Sequence, residues 1–272
     1  MDNIMSSIIQ SIEDKNKNDE KSNKYNFQFD ELQMYYGLDY KINDKITIHL
    51  PTIGDIIEFG EKNILTAISP FVSNPTTYRL MLWDNGIDWN KISDYELFMM
   101  LVKGMDVKNT HIIFGDIDFS TLNPYMQTDT NEVVLYDPEQ QLKIDEETYM
   151  HIREYIRLAF NQTPKIELAK GKSTKLAIID EDRMNLALEK QKKVTDKSTY
   201  LPLISALLNH PGFKYKKEEL AKVNIVEFMD SVQRLQIYES TRALMSGIYS
   251  CFCDTSKINL NKELNWMRSL HD

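Results

Sequence analysis

Asp116 and Asp118 are the residues whose type and spacing come nearest to a motif for catalysis or metal binding. They lie two positions apart in a segment that is expected to form a strand. Both carboxylates would then lie on one face of the strand and could hold a divalent cation through oxygen. No Gly-rich phosphate loop, third carboxylate group or helix-borne His-Glu pair accompanies them in the sequence. The pattern favours the acidic end of an exposed strand, and a metal-dependent enzyme is the weaker alternative.

The histidines and cysteines do not form a recognisable catalytic or zinc-binding pattern. The five histidines, none of which lies three or four positions from another, are His49, His111, His151, His210 and His271. Cys251 and Cys253 are too close to build a disulfide framework, and no second pair completes a zinc site. The sequence also lacks G-x-S-x-G, P-loop and G-x-G-x-x-G motifs. We therefore expect no catalytic residue, cofactor or metal, and reduced thiols in a cytosolic compartment.

The charge and the apolar runs of the chain exclude two further classes of function. The formal net charge is −9, whereas a general nucleic-acid binder needs a basic face that neutralises phosphates. No apolar run approaches the ~20 residues that span a bilayer. The N-terminal residues lack the basic region and the continuous apolar region of a signal peptide. These observations predict a cytoplasmic protein that does not bind membranes, and they argue against nucleic acid as a partner.

Residues 26–164 are predicted to form an α+β domain. KITIHL, at 45–50, alternates in the manner of a half-buried strand. Thr52 follows it as the expected N-cap of a helix, and Ser93 or Asp94 caps a later one. Residues 51–105 are therefore expected to form a compact helical unit.

Three short strands are predicted after this helical part. They are THIIFGDIDF at 110–119, EVVLYD at 132–137 and QLKI at 141–144, and a turn at Asp137 joins the last two into a hairpin. The fold class that follows is α+β, mainly α-helical, with a small antiparallel sheet. A helix that opens at Asp145 comes next. Its expected buried face consists of Tyr149, Ile152, Ile156 and Ala159, and its expected solvent face of Arg153, Glu154 and Arg157.

The remaining chain is divided into a Lys-rich linker or arm at 165–199 and a helical C-terminal unit at 200–272. The arm is rich in lysine and poor in apolar residues, so a solvated charged helix is the favoured interpretation, and a weak contact with nucleic acid or with an acidic partner surface is the alternative. In the C-terminal unit, Asn224 is the expected N-cap of a helix that runs to about Ser246. A last short helix is expected to start at Asn261.

Two groups of residues are candidates for partner binding. In the N-terminal segment, 1–25, a narrow apolar stripe of Ile4, Ile8 and Ile12 precedes a charged run, as in a short helix that docks into a partner's groove. A frayed terminal helix on a solvated tether is the alternative. Near the C-terminus, Tyr238, Tyr249 and Trp266 belong to an aromatic cluster of the kind that marks both cores and interfaces. Core packing is the favoured interpretation of that cluster, with partner binding as the alternative.

Several motifs of this chain resemble one group of viral proteins. They are PTIGDIIEFGE at 51–61, FGDIDF at 114–119, LPLISAL at 201–207, FMDSV at 228–232 and KELNW at 262–266. In this order, over residues 45–270, they resemble tail morphogenesis proteins of tailed bacteriophages that infect low-GC Gram-positive hosts. Tail assembly chaperones are the most similar members. The abundance of Lys, Asn and Ile is consistent with an AT-rich genome.

The resemblance implies a function in assembly rather than in catalysis. A tail assembly chaperone acts in the cytoplasm of the infected cell, where it binds the tape-measure protein and aids recruitment of tail-tube proteins, without a cofactor. A structural component of the phage tail or baseplate, retained in the virion, is the alternative. Self-association is left open by the sequence.

Overall fold

The helices and strands of the chain form an α+β fold that is mainly helical. The computed structural model describes residues 25–127, 132–191, 197–250, 255–256 and 258–270. Of the described residues, 55% are helical and 8% are in strands, which confirms the predicted fold class. The helices are α1 (Glu31–Tyr35), α2 (Ile53–Phe59), α3 (Glu61–Val72), α4 (Arg79–Asp84), α5 (Asp94–Leu101), α6 (Val107–Phe114), α7 (Glu146–Ala159), α8 (Lys172–Gln191), α9 (Tyr200–Asn209), α10 (Lys217–Leu220), α11 (Ile225–Tyr249) and α12 (Leu260–Glu263). The strands are β1 (Tyr40–Lys41), β2 (Thr47–Ile48), β3 (Asn123–Met126), β4 (Val133–Asp137) and β5 (Leu142–Ile144).

The strands form two small antiparallel sheets. β1 pairs with β2, and the second sheet has the order β3-β4-β5. The predicted hairpin is confirmed, with Leu135 of β4 opposite Ile144 of β5. Both side chains are completely buried, so this sheet contributes one face to the core.

The strand predicted at 110–119 is wrong, because residues 110–114 belong to helix α6 and residues 115–118 form a loop. Asp106 caps α6 by accepting a hydrogen bond from the backbone N–H of Asn109. The buried residues of the helix, Thr110, Ile113 and Phe114, are spaced by three and four positions, which is a helical period. The third strand of the sheet is β3 instead, whose Pro124 is tolerated because β3 lies at the sheet edge.

Two predicted N-caps are confirmed, and both form complete capping boxes. Thr52 accepts a hydrogen bond from the backbone N–H of Asp55, whose carboxylate accepts one from the backbone N–H of Thr52. Ser93 and Glu96 make the same reciprocal pair at the start of α5. Each box satisfies two of the N–H groups that a helix leaves without an internal partner.

The predicted buried face of α7 is confirmed, but the prediction that Arg153 lies in solvent is wrong. Tyr149, Ile152, Ile156 and Ala159 are almost completely buried, and Arg153 is only 6% exposed. The Arg153 guanidinium donates hydrogen bonds to the carboxylates of Asp94 and Glu154. The burial of Arg153 is tolerated because Asp94, at the start of α5, places an opposite charge beside the guanidinium.

Arg157 is also less exposed than predicted. Its guanidinium donates hydrogen bonds to the backbone carbonyls of Phe71 and Ser73, at 3.1 and 2.8 Å. These carbonyls lie at the C-terminal end of α3, where a cation is favoured by the helix dipole.

A backbone seam joins the segment before α2 to the segment before α11. Three hydrogen bonds of 2.7–3.0 Å cross it, from the N–H groups of Ile53, Gly54 and Ile225 to the carbonyls of Val223, Ala221 and Pro51. A Cβ atom on Gly54 would lie 2.8 Å from the Ala221 carbonyl oxygen, so the close approach requires glycine. On both sides of the seam, apolar residues belong to one buried cluster, which includes Ile56 and Phe228.

The Lys-rich segment at 165–199 contains helix α8, which contacts α4. Ile179 of α8 is completely buried in a second, smaller apolar cluster, together with Leu82, Trp89, Leu97 and Ala169. The domain boundaries proposed from the sequence stay predictions. The structure adds that this segment packs against residues of the preceding domain.

The C-terminal helices follow the prediction except at two ends. Asn224 caps α11 by accepting hydrogen bonds from the backbone N–H groups of Val226 and Glu227. α11 continues through Gly247 to Tyr249, so the expected termination at Gly247 is wrong; an isolated glycine weakens a helix without ending it. The last short helix is capped by Asn259 rather than Asn261.

Among the residues that the structure describes, no helix is both long and apolar enough to cross a lipid bilayer.

Candidate partner-binding surface

The structure brings Tyr238 and Trp266 together, although they are 28 positions apart in the sequence. Their ring centroids lie 5.7 Å apart, with an angle of 82° between the ring planes. This edge-to-face geometry is favoured between aromatic rings. Tyr238 is 40% exposed and Trp266 is 41% exposed, so the predicted core packing of these two residues is wrong. They form part of the surface.

The C-terminal segment is held along α11 by hydrogen bonds to its backbone, which fixes the position of Trp266. The Arg234 guanidinium donates to the carbonyls of Trp266 and Arg268, at 2.9 and 2.7 Å. The hydroxyl of Thr241, which is only 4% exposed, donates to the Glu263 carbonyl at 2.8 Å. The Trp266 ring is therefore presented by anchored backbone.

Further apolar side chains extend this surface along α11. Met245 and Tyr249 lie seven and eleven positions after Tyr238, a spacing that places all three on one side of a helix. Tyr249 is 80% exposed, and Met267 beside Trp266 is 72% exposed. We call this surface, consisting of Tyr238, Met245, Tyr249, Trp266 and Met267, the aromatic ridge.

The aromatic pattern of the sequence groups Tyr249 with Tyr238 and Trp266, but it does not identify Met245 and Met267 as candidate binding residues. The helical spacing from Tyr238 to Met245 is present in the sequence. The side of α11 that the core leaves exposed could not be deduced from spacing alone.

A cavity of about 150 Å³ lies near the ridge, between α1, the end of α7 and α11. Tyr35, Met229, Arg234 and Leu270 contribute to its lining. Burial raises the pKa of the Tyr35 hydroxyl, and the Glu227 carboxylate raises it further. The cavity is smaller than the ~300 Å³ at which small-molecule pockets begin, so we assign no ligand to it.

Asp116 and Asp118 lie on the loop after α6, not on the predicted strand. The Asp118 carboxylate accepts hydrogen bonds from the backbone N–H and the hydroxyl of Ser120, at 2.9 and 2.6 Å. It thereby caps the short 3-10 helix that begins at Phe119. In the described part of the chain, no group of three or more His, Cys, Asp and Glu residues lies where it could hold a metal ion. The strand on which the metal hypothesis depended does not exist.

The described histidines each contact a polar neighbour. His151 stacks on Phe27, with ring centroids 4.3 Å apart, and its Nε2 lies 2.9 Å from the Tyr40 hydroxyl. Burial lowers the pKa of His151. His49 lies beside Asp39, and His210 beside Glu239, at 2.7 and 3.1 Å. These contacts indicate that His49, His151 and His210 have packing or surface roles.

Several candidate residues lie outside the described part of the chain. They are the apolar stripe of Ile4, Ile8 and Ile12, the two cysteines Cys251 and Cys253, and His271. The docking helix predicted for the N-terminal segment therefore stays a prediction.

Comparison of the chain with models of known protein families, with curated protein sequences and with solved structures found no significant match.

Proposed function

We propose that this protein is a phage tail assembly chaperone that binds a helical segment of the tape-measure protein through the aromatic ridge. The observation that carries the proposal is the ridge itself, a surface of aromatic and methionine side chains that the second half of α11 and the C-terminal segment present together. An exposed apolar strip of this kind fits the apolar face of an amphipathic helix. Methionine and aromatic residues are well suited to such surfaces, because the first adapts its shape and the second contributes large contact area.

The positions of the motifs that carry the family resemblance also support the proposal. PTIGD, at 51–55, and the start of α11 meet at the backbone seam, where Gly54 permits close approach. KELNW, at 262–266, provides Trp266 and the Glu263 carbonyl that Thr241 binds. These motifs therefore build the fold and the ridge, as expected for an interaction protein rather than an enzyme.

Co-expression with the tape-measure protein of the same phage tests the proposal. We expect the full chain to co-purify with the tape-measure protein and to increase its soluble yield. Exchange of both Tyr238 and Trp266 for alanine should reduce the recovered complex at least tenfold, since each interface anchor of this type contributes about 2 kcal/mol or more. Ile57→Ala is the matched control, because Ile57 is an exposed apolar residue of α2, at 66%, outside the ridge.

Two outcomes would contradict the proposal. If the wild-type chain neither co-purifies with the tape-measure protein nor raises its solubility, the protein is not its chaperone. If the Ile57 control loses binding as strongly as the double variant, the ridge is not the binding surface. Mass spectrometry of purified virions separates a chaperone, which should be depleted, from a structural tail or baseplate component, which should be present in fixed copy number.

A further inference from the structure

Three residues on one side of α11 receive the C-terminal segment. Arg234, Tyr238 and Thr241 lie four and three positions apart, so their side chains share one side of the helix. The Arg234 guanidinium bonds to the Trp266 carbonyl, and the Tyr238 ring contacts the Trp266 ring. The Thr241 hydroxyl, further along α11, bonds to the Glu263 carbonyl, which comes earlier in the C-terminal segment. The C-terminal segment therefore runs antiparallel to α11.

Trp266 and Met267 occupy the two central positions of a β-turn in this segment. The N–H of Arg268 donates to the Asn265 carbonyl at 3.2 Å, which closes the turn. The Asn265 side chain also accepts a hydrogen bond from the Met267 N–H, at 3.2 Å, and contacts of this kind make asparagine favourable in turns. Both central side chains are exposed. The turn therefore presents two members of the aromatic ridge together.

Arg234 attaches this turn to α11 through the backbone of the turn. Its Nη1 donates to the Trp266 and Arg268 carbonyls, at 2.9 and 2.7 Å, and these two carbonyls lie on either side of Met267 in the chain. The Asp230 carboxylate, one turn earlier on α11, lies 3.5 Å from Nη2 of the same guanidinium and orients it. Hydrogen bonds from a charged donor are stronger than neutral ones. Because they end on carbonyls, they fix the turn and leave its two exposed side chains available to a partner.

A second arginine holds the turn to α12 rather than to α11. The Arg268 guanidinium donates to the Lys262 carbonyl at 2.6 Å and lies 3.4 Å from the Glu263 carboxylate. The Lys262 carbonyl is at the C-terminal end of α12, where the last carbonyls lack a partner within the helix. Arg268 thus preserves the local shape of the turn, whereas Arg234 determines where the turn lies on α11.

We infer that Arg234 is a positioning residue for partner binding: it holds the backbone of the turn at 265–268 and so keeps Trp266 and Met267 beside Tyr238, in the arrangement that a partner helix contacts. The inference rests on the proposed function, because it takes the aromatic ridge as the binding surface. Arg234 acts through the turn and is not itself a member of the ridge. Without it, Trp266 and Met267 have to be ordered during binding, and this ordering weakens the affinity.

Arg234→Ala in the full chain tests the inference by two measurements. In protein labelled with fluorotryptophan, fluorine NMR detects the Trp266 signal, which is assigned by its absence in Trp266→Phe. Arg234→Ala should move this signal toward that of solvent-exposed fluorotryptophan, because the Trp266 ring loses its contact with Tyr238. The signals of Trp83 and Trp89 should not move, since both residues belong to the smaller apolar cluster. The complex recovered after co-expression with the tape-measure protein should fall at least about fivefold, because two side chains then have to be ordered on binding.

Arg234→Lys and Arg242→Ala are the matched comparisons. A lysine ammonium keeps the charge and has three donors, so Arg234→Lys should recover more complex than Arg234→Ala and keep the Trp266 signal nearer to its wild-type position. The Arg242 side chain, two turns further along α11, is 70% exposed and lies 3.7 Å from the Glu239 carboxylate. Arg242→Ala removes the same charge away from the turn, and it should match wild type in both measurements.

The inference is overturned if Arg234→Ala leaves the Trp266 signal in place, or if it moves this signal without reducing the recovered complex. An equal loss of complex in Arg242→Ala also overturns it, since the charge of the helix would then be responsible. If Arg234→Ala does not fold, Arg234→Met, which keeps an apolar stem and removes the donors, replaces it under the same criteria. Failure of the wild-type chain to bind the tape-measure protein contradicts the proposed function instead, while the Trp266 signal still shows whether Arg234 holds the turn.

Discussion

Asn224 lies beside the backbone seam and connects α1 and α11 through one side chain, so its substitution tests this junction most directly. Its Oδ1 accepts hydrogen bonds from the N–H groups of Val226 and Glu227, which caps α11. Its Nδ2 donates to the carbonyl of Tyr35 at the end of α1, at 2.8 Å. Asn224 is 8% exposed, and its backbone bridges to Thr52. Removal of the side chain therefore removes the cap of α11 and the link from α11 to α1 together.

The expected cost of Asn224→Ala is the sum of two losses. Loss of an N-cap destabilises a protein by about 1 kcal/mol, and by up to about 2 kcal/mol in well-ordered caps. Loss of the hydrogen bond to the Tyr35 carbonyl adds about 1 kcal/mol, because this bond is partly buried. The free energy of unfolding should fall by about 2–3 kcal/mol. At about 2 °C per kcal/mol for a chain of this size, Tm should fall by about 4–6 °C.

Asn224→Asp separates the two losses, because aspartate keeps the cap and cannot donate to Tyr35. We expect it to cost about 1 kcal/mol, between wild type and Asn224→Ala. Urea denaturation followed by circular dichroism measures the three stabilities, and hydrogen exchange localises the change. Amides of α1 should lose protection in both variants, and amides of the first turn of α11 in Asn224→Ala alone.

The matched control is Asn259→Ala, which removes the exposed N-cap of the short helix α12. Asn259 accepts one hydrogen bond, from the Lys262 N–H at 3.3 Å, and makes no seam contact in the described structure. Its substitution should cost less than about 1 kcal/mol. The reasoning about Asn224 is refuted if Asn224→Ala lowers the free energy of unfolding by no more than this control does. It is also refuted if Asn224→Asp is as unstable as Asn224→Ala.

Two further outcomes follow from charged groups that the fold holds in place. Asp94→Asn should lower the free energy of unfolding by about 2–3 kcal/mol in urea denaturation, because it removes the charge that Arg153 faces at its point of burial; a loss below about 0.5 kcal/mol would contradict this. Hydrogen bonds from Thr121 and Gln140 lower the pKa of Asp137 from 3.8 to about 2. The stability that this carboxylate contributes is therefore present above pH 3.8 and lost as the pH falls toward 2. Asp137→Asn should show a smaller fall in Tm than wild type between pH 4 and 2, and equal falls in both proteins would refute the assignment.

Local patterns in the sequence predicted most of the elements, because caps and apolar periods act within a few residues. Thr52, Ser93 and Asn224 were identified as caps from residue type and position, and the structure confirms all three. The error at 110–119 has the same local origin. Ile112 and Ile113 are β-branched and precede Phe114, which resembles a strand, but the buried positions follow the helical period.

Long-range charge pairing is the part of the structure that the sequence did not predict. Arg153 was expected in solvent because its own helix provides no reason to bury it, and Asp94 lies 59 positions away. Lys175 and Asp182 were likewise interpreted as residues of a solvated helix. Their partners, Asp88 and Arg79, lie more than 80 positions earlier in the chain. A charge is interpreted as exposed unless its partner is known, and no local pattern reveals a distant partner.

The exposed end of α11 also depends on contacts between residues that are distant in the sequence. Its apolar residues continue at helical spacing along the whole helix, so the sequence alone treats both halves as core. In the structure, Phe228 is completely buried whereas Tyr249 is 80% exposed. The difference arises because the core covers the start of the helix, whereas the C-terminal segment, which Arg234 and Thr241 hold, leaves Tyr249 exposed. A helix that carries apolar residues beyond the reach of its own core has a surface suited to a partner, and this is the physical basis on which the aromatic ridge is proposed as the binding site.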